Sequence, residues 1–110
     1  MIEPIRTLSV EVVPQAVISL PVERIVGRRA DITRGVDDLD SFEGASFKLD
    51  REIEIAIRHY KGHPKNTATI YIDHREADIE RITQLVLQIM QEFHLPKTAL
   101  QWQRRDDPEL

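Results

Sequence analysis

The sequence predicts an α+β fold in which an antiparallel sheet packs on a long C-terminal helix. Apolar and polar residues alternate in several segments, which is typical of half-buried strands. From Ile79 to Phe93 the apolar residues recur at intervals of three or four, which is typical of an amphipathic helix. A chain of 110 residues has the length of one domain, so a single domain over 1–110 is expected.

The N-terminal part of the chain predicts a strand, a short helix and a loop. The segment IRTLSVEVV, residues 5–13, alternates apolar and polar side chains, and Pro14 is expected to end this first strand. Residues 19–29 carry apolar side chains at helical spacing, which predicts a short first helix that Gly27 weakens. Residues 30–45 contain turn formers and five acids, which predicts an exposed connection.

The middle of the chain predicts a long strand and a hairpin. Residues 47–59 have apolar side chains on one face, interrupted only at Arg51. A strand of this length spans roughly 43 Å, so a bend or bulge near Arg51, or an overhang beyond the neighbouring strands, is expected. The loop KGHPK, residues 61–65, leads to the alternating segment 67–73, which predicts a hairpin.

The C-terminal part predicts a long helix followed by a last strand. Asp73 and Glu76 resemble a capping box, and a helix of about 20 residues is expected to follow them. Its apolar stripe comprises Ile79, Ile82, Leu85, Val86, Ile89, Met90 and Phe93. In the last segment, residues 98–104, Leu100 and Trp102 are expected to share the buried face of a strand.

The predicted order of elements is strand, short helix, strand, strand, long helix, strand. This is the βαββαβ order of a ferredoxin-like sandwich. If residues 19–29 are not helical, the alternative is a curled antiparallel sheet on a single helix with the same core. Folds of this kind host many unrelated activities, so the topology alone does not indicate a function.

Composition excludes several classes of function. The net charge of −4, with basic residues scattered among acids, predicts that nucleic acid is not a partner. No apolar run approaches the ~20 residues of a transmembrane helix, so no membrane association is expected. The absence of cysteine excludes disulfides and thiolate chemistry and fits a reducing compartment, which predicts a cytoplasmic location.

Three of the four histidines lie close together in the sequence, which raises the question of a metal site. If Ile57 pairs with Ala68 in the hairpin, His59 and His74 lie roughly 26 Å apart along the sheet. The ligands of one zinc ion all lie within about 2.1 Å of it. His59 and His63 then lack a third ligand, so neither a metal nor another cofactor is expected.

The acidic residues are also predicted to have structural roles. Glu52 and Glu54 would lie about 7 Å apart on the polar face of a strand, a separation that suits acid and base catalysis on a glycoside. Polar strand faces commonly carry alternating charges, however, so salt bridging is the favoured interpretation. The predicted loop lacks the ligand spacing of a calcium site; its acids are Asp37, Asp38, Asp40 and Glu43. No catalytic residue is therefore predicted.

Two hypotheses about function follow. The favoured one is a non-enzymatic interaction or regulatory module that self-associates, most simply as a twofold dimer, and that can also bind another protein. The overhanging part of the long strand would form the interface, with charged side chains pairing across the twofold axis. These side chains are Lys48, Asp50 and Glu52.

The alternative hypothesis is a small-molecule-binding domain or a small enzyme. Its pocket would lie between sheet and helix or at a subunit interface. The side chains expected near it are Trp102, Tyr71 and His59. A filled core would favour the interaction module, whereas an apolar cavity with convergent polar groups would favour ligand binding.

Overall fold

The structure is a computed structural model that describes residues 1–36 and 40–104. The described residues form an antiparallel sheet with the strand order β1-β4-β5-β6-β2-β7, and β3 also pairs with β4. Its strands are β1 (Ile2–Ile5), β2 (Val12–Ile18), β3 (Thr33–Val36), β4 (Ser41–Leu49), β5 (Ile53–Tyr60), β6 (Ala68–Asp73) and β7 (Leu100–Gln103). The helices are α1 (Val22–Val26) and α2 (Ile79–Glu92), and a short 3-10 turn, Lys97–Ala99, precedes β7.

The predicted ferredoxin-like order of a sheet on a long C-terminal helix is wrong. The described residues are mostly antiparallel sheet, with seven strands instead of four. Of the predicted first helix only five residues are helical, and α2 has 14 residues instead of about 20. The additional strands come from a turn inside the predicted long strand, from the predicted connection 30–45, and from residues 2–5, which lie almost wholly before the first predicted strand.

The turn at Asp50 and Arg51 divides the predicted strand 47–59 into β4 and β5. Both residues have a left-handed backbone, with φ of 53° and 60°. The N–H of Glu52 donates to the carbonyl of Leu49 at 3.0 Å and closes the turn. Two successive left-handed residues are typical of tight β-hairpins, because their twist matches that of the paired strands.

The predicted exposed connection 30–45 contains β3 and the first half of β4. These strands pair from Thr33 opposite Gly44 to Val36 opposite Ser41. Residues 37–39 lie outside the described residues, and the predictions for Asp37 and Asp38 lie there too. The acids and glycines that indicated a loop are therefore compatible with a short, largely exposed strand at the edge of the sheet.

Of the predicted first strand 5–13 only Ile5, Val12 and Val13 lie in strands. Strand β2 continues through Pro14, where the sequence predicted a strand end. The pairing with β6 shifts between Pro14 and Ala16, which leaves Gln15 as the extra residue of a β-bulge. Strand β7 pairs with β2 only from Ala16 to Ile18, so β2 has no strand neighbour on that side at Pro14 within the described chain. Proline is tolerated at such edge positions because no donor is required there.

The core lies between α1, α2 and one face of the sheet. The predicted stripe of α2 is confirmed, since all its members are buried except half-buried Ile79. The helix begins later than predicted, and Asp78 caps it by accepting a hydrogen bond from the N–H of Glu80 at 3.2 Å. The space between α2 and the sheet is occupied by fully buried side chains, among them Phe47 and Ile70.

The predicted hairpin of β5 and β6 is present, with a register two residues away from the expected one. Ile57 pairs with Ile70, whereas pairing with Ala68 was expected. A shift of two leaves every side chain on its predicted face, because strand faces alternate with a period of two. The connecting loop is correspondingly longer than predicted and contains Gly62 and Asn66 with positive φ.

Candidate functional site

The sheet has a second face, opposite to the one that packs on α2, which we call the outer face. Across this face one row of directly paired residues runs over six strands, from β3 to β7. The row consists of Thr33, Gly44, Arg58, Thr69, Val17 and Trp102. Trp102 ends the row at the edge of the sheet, where its side chain is 49% exposed. The outer face therefore presents a large apolar side chain at its margin.

A β-bulge explains why Trp102 is exposed. Leu100 pairs with Ile18 and packs against the core, whereas Trp102 pairs with Val17. Val17 and Ile18 are consecutive on β2, whereas their partners Trp102 and Leu100 are two residues apart on β7. Gln101 is therefore an extra residue, and the alternation of faces along β7 is interrupted there. The prediction that Leu100 and Trp102 share the buried face is therefore wrong.

Aromatic side chains surround Arg58 near the centre of the outer face. The Arg58 guanidinium carbon lies 4.4 Å from the centre of the Phe42 ring and 5.5 Å from that of Tyr71. Its Nη1 donates to the hydroxyl of Tyr60 at 3.1 Å. Tyr71 is buried, and its ring centre lies 6.1 Å from that of Tyr60. These contacts pack the Arg58 side chain against three aromatic rings on the outer face.

Gly44 makes room for this arrangement on β4. A Cβ atom at position 44 would lie 2.3 Å from the carbonyl oxygen of Ile57 and 2.8 Å from Cγ of Arg58. Both distances are far below van der Waals contact. Glycine at this position therefore allows Arg58 to lie across β4.

Two buried carboxylates anchor neighbouring segments to the outer face. Glu54 accepts hydrogen bonds from the backbone N–H of Ser9, at 2.6 Å, and from its hydroxyl. Asp73 accepts from Nη2 of Arg75 at 2.6 Å and from its Nε at 3.0 Å. Glu52, by contrast, is exposed in the connection between β4 and β5. The suggested Glu52 and Glu54 pair therefore does not form an acid and base site.

The hydrogen bonds to these carboxylates predict loss of stability in acid. Hydrogen bonding from Ser9 holds the pKa of Glu54 below its usual value, and Arg75 does the same for the pKa of Asp73. The unfolded chain therefore takes up protons at higher pH than the folded chain. The free energy of unfolding should fall as the pH drops below about 5, through the ordinary carboxyl pKa range and towards the lower folded values.

This acid effect can be measured by urea unfolding at a series of pH values. Glu54→Gln should reduce the dependence of stability on pH below about 5, because it removes one of the depressed carboxyl groups. Glu3→Gln, at an exposed position of β1, is the matched control for the loss of one negative charge. If Glu54→Gln and the native chain had the same dependence of stability on pH, Glu54 would not be one of the carboxyl groups whose pKa folding lowers.

His59 and His63 lie near each other, whereas His74 lies elsewhere, beside Glu11. Nε2 of His59 lies 3.2 Å from the carbonyl oxygen of Pro64, and the His59 and His63 ring centres are 6.4 Å apart. The backbone N–H of His74 donates to the carbonyl of Glu11 at 2.9 Å, and the ring Nδ1 of His74 lies 3.0 Å from the same oxygen. In residues 1–36 and 40–104 no three His, Asp or Glu side chains are grouped to hold a metal ion. That the fold needs no metal stays a prediction.

The predicted ligand-binding residues do not share one site. Trp102 and Tyr71 both lie on the outer face, but Trp102 is paired with Val17 of β2, whereas Tyr71 is paired with Pro14 of β2. His59 lies at the end of β5, where it lines an open surface cavity of about 390 Å³. Chemical type alone singled these residues out, and the fold separates them.

Of the predicted interface residues, Lys48 lies in a part of β4 that β1 covers, whereas Asp50 and Glu52 are exposed in the turn between β4 and β5. Lys48 pairs with Glu3 of β1 on one side and with Glu54 of β5 on the other. Asp50 accepts a hydrogen bond from Nε2 of Gln88 at 2.7 Å. The overhanging strand on which the interface prediction depended is absent, because β1 covers this part of β4. An interface at these residues is not supported by the pairing.

Gln15, the extra residue of the bulge in β2, has a buried side chain without partners. It is 0% exposed, and neither amide atom has a hydrogen-bond partner in the described part of the chain. A buried polar group without a partner costs about 1–3 kcal/mol.

Gln15→Met should therefore raise the free energy of unfolding by about 1 kcal/mol, since methionine has a similar shape and no polar atom that needs a partner. Gln91→Met, at an exposed position of α2, is the control and should change stability by less than about 0.5 kcal/mol. Urea unfolding checks both variants, and a clear loss of stability in Gln15→Met would show that the amide has a structural role.

Comparison of the chain with protein-family models, curated proteins and solved structures finds no match. Among the described helices, none has both the length and the apolar character needed to cross a membrane.

Proposed function

We propose that this protein is a non-enzymatic interaction module that self-associates as a twofold dimer by pairing β7 with β7 of a second copy. The observation that carries this proposal is the exposed Trp102 on an edge strand. Trp is among the residues that contribute most to binding energy at protein interfaces. The proposal keeps the predicted module and dimer but places the interface at β7.

The charge of the edge strands favours β7 as the dimer edge. Strand β7 pairs with β2 on one side, and no described residue pairs with it on the other. In a twofold antiparallel pair each strand meets its own copy, so any net charge on the strand meets the same charge. Strand β1 carries Glu3 and β3 carries Arg34, whereas the residues of β7, LQWQ, carry no charge.

The absence of protective residues on β7 also favours this strand as the dimer edge. Natural proteins commonly guard exposed strand edges with charged residues and proline. Strand β1 has both of these features, in Glu3 and Pro4, and β7 has neither. Pairing two β7 strands would satisfy outward backbone groups of both copies and bring the exposed Trp102 side chains into the interface.

The filled core supports an interaction module over an enzyme with an internal pocket. Buried side chains occupy the space between the sheet and α2, where the alternative hypothesis placed a pocket. The buried carboxylates Glu54 and Asp73 are held ionised by their donors, which suits anchoring better than proton transfer. The absence of cysteine supports a cytoplasmic location, and the net charge of −4 supports a protein partner over nucleic acid.

Light scattering on variants tests the proposed dimer. The native chain should have about twice the monomer mass of 12.8 kDa at micromolar concentration. Trp102→Ser should weaken the dimer, and Trp102→Lys should weaken it further, because two like charges would be brought together. Val36→Ser is the matched control, since Val36 is 80% exposed on β3 at another edge.

The expected result is a dimer for the native chain and for Val36→Ser, and a shift towards monomer for both Trp102 variants. Far-UV circular dichroism confirms that each variant is folded. A native mass of 12.8 kDa at every concentration would contradict self-association. A dimer that only Val36→Ser dissociates would place the interface at β3.

A further inference from the structure

A surface cleft lies where β1 and β3 separate along β4. Strand β1 pairs with residues 46–49 of β4 and β3 with residues 41–44, so neither strand covers Ala45. At this gap a cavity of about 610 Å³ opens to the surface. We call it the arginine cleft, and its polar lining consists of Arg6, Arg28, Arg29, Asp31, Thr33 and Ser46.

The arginine cleft concentrates positive charge on a chain that is acidic overall. Three arginines and one carboxylate, Asp31, line it, which gives a local formal charge of +2 (3 − 1), whereas the whole chain carries −4. Within the described chain none of these arginines forms an ion pair or donates a side-chain hydrogen bond, and the guanidinium of Arg29 lies 5.2 Å from the centre of the Phe93 ring. Their donors are therefore available to a ligand.

We infer that the arginine cleft binds a small hydroxylated phosphomonoester, such as a phosphorylated sugar. A guanidinium group can donate two parallel hydrogen bonds to phosphate oxygens, and the Ser46 hydroxyl adds a further donor. The Thr33 hydroxyl donates to the carbonyl of Gly44 at 3.3 Å, so it adds an acceptor to the lining. A phosphomonoester carries a charge of about −1.5 to −2 at neutral pH, which matches the charge of the cleft.

The size and the single acid of the cleft favour a ligand larger than inorganic phosphate. Cavities for small ligands commonly measure about 300–1,000 Å³, and this one falls within that range. The Asp31 carboxylate accepts hydrogen bonds and repels a second anionic group, so it suits a hydroxyl of the same ligand.

The cleft is independent of the proposed dimer. It lies beside β1 and β3, and strands β5, β6 and β2 separate β4 from β7 in the sheet. A ligand in the cleft therefore need not contact the β7 edge. Binding and self-association can be tested separately, and the failure of one does not decide the other.

Calorimetric titration with defined probes tests this inference. Glucose 6-phosphate is the phosphorylated probe, glucose is the uncharged control, and succinate is a dianion without phosphate. Glucose 6-phosphate should bind saturably with a Kd of about 1 mM or lower at low salt, and glucose should not bind. Succinate should bind at least about 10-fold more weakly than glucose 6-phosphate.

Variants locate the site. Arg6→Gln and Arg28→Gln should each weaken the binding of glucose 6-phosphate by about 10-fold, because each removes a charged donor. Arg24→Gln, at an exposed position of α1 outside the cleft, removes the same charge and should change the affinity by less than about 2-fold. Arg29 is left intact, because its contact with Phe93 also serves the fold.

Three results would overturn the inference. One is the absence of saturable binding by glucose 6-phosphate. Another is equal weakening by Arg24→Gln and Arg28→Gln, which would indicate general attraction of anions to the surface. The third is equal affinity for succinate, which would assign the cleft to dianions in general.

Discussion

Leu85→Ala should lower the free energy of unfolding by about 2–5 kcal/mol. Leu85 is 1% exposed and lies in the apolar stripe of α2 that packs on the sheet. The substitution removes buried methyl groups and leaves a cavity that the surrounding strands fill only in part, because protein cores are closely packed. Ile89→Ala, one turn further along α2, should have a cost in the same range because Ile89 is fully buried.

Urea unfolding of each variant measures this effect. Gln84→Ala is the matched control, because Gln84 is the exposed neighbour of Leu85 on the same helix. It should change stability by less than about 0.5 kcal/mol. A neutral Leu85→Ala together with a costly Gln84→Ala would mean that the opposite face of α2 contacts the sheet.

Gly44→Ala should lower the free energy of unfolding by about 1–3 kcal/mol or more, although it adds only one methyl group. That methyl group would lie 2.3 Å from the backbone carbonyl oxygen of Ile57 and 2.8 Å from Cγ of Arg58. A backbone atom cannot rotate away as a side chain can, so β4 and β5 would have to separate locally. Ser46→Ala, two residues along β4, is the control and should cost much less.

A double substitution separates the two contacts at Gly44. Arg58→Ala removes the side-chain contact but leaves the carbonyl of Ile57 in place. In the Arg58→Ala background, Gly44→Ala should therefore still cost most of what it costs in the native chain. If Arg58→Ala abolished the cost, the conflict would lie with the arginine side chain alone.

The stripe of α2 and the hairpin of β5 and β6 could be predicted from sequence because their patterns are local. The apolar residues of α2 repeat at helical spacing over four turns, and the burial of Leu85 and Ile89 follows from that spacing. In β5 and β6, alternation fixed which side chains face the core. Alternation does not distinguish registers that differ by two residues, so the pairing of Ile57 with Ile70 was missed.

A bend or bulge was expected near Arg51, but a full hairpin turn between β4 and β5 was not, because the alternating pattern resumes after Arg51. Leu49 pairs directly with Ile53, and both face the core. They are separated by an even number of positions, so the alternation continues across the turn as it would along one strand. The two turn positions are also occupied by Asp50 and Arg51, and not by the asparagine and glycine that usually indicate such a turn.

The surroundings of Trp102 and the arginine cleft depend on long-range pairing. A bulge at Gln101 turns Trp102 to the outer face, and no residue type in that segment indicates a bulge. Arg6 and Arg28 come together only because β1 and β3 share one side of β4. Tyr71 was singled out as an aromatic residue, but it is buried in a cluster that includes Tyr60 of β5, a contact that depends on the pairing of β5 with β6.

Amide hydrogen exchange, compared above and below the midpoint of association, tests the pairing of β7 with its own copy most directly. The amides of β7, Leu100–Gln103, should exchange more slowly at the higher protein concentration, because outward N–H groups gain partners in the dimer. The amides of β3, Thr33–Val36, should exchange equally at both concentrations. Concentration-dependent protection of β3 with no change in β7 would contradict the proposed dimer edge.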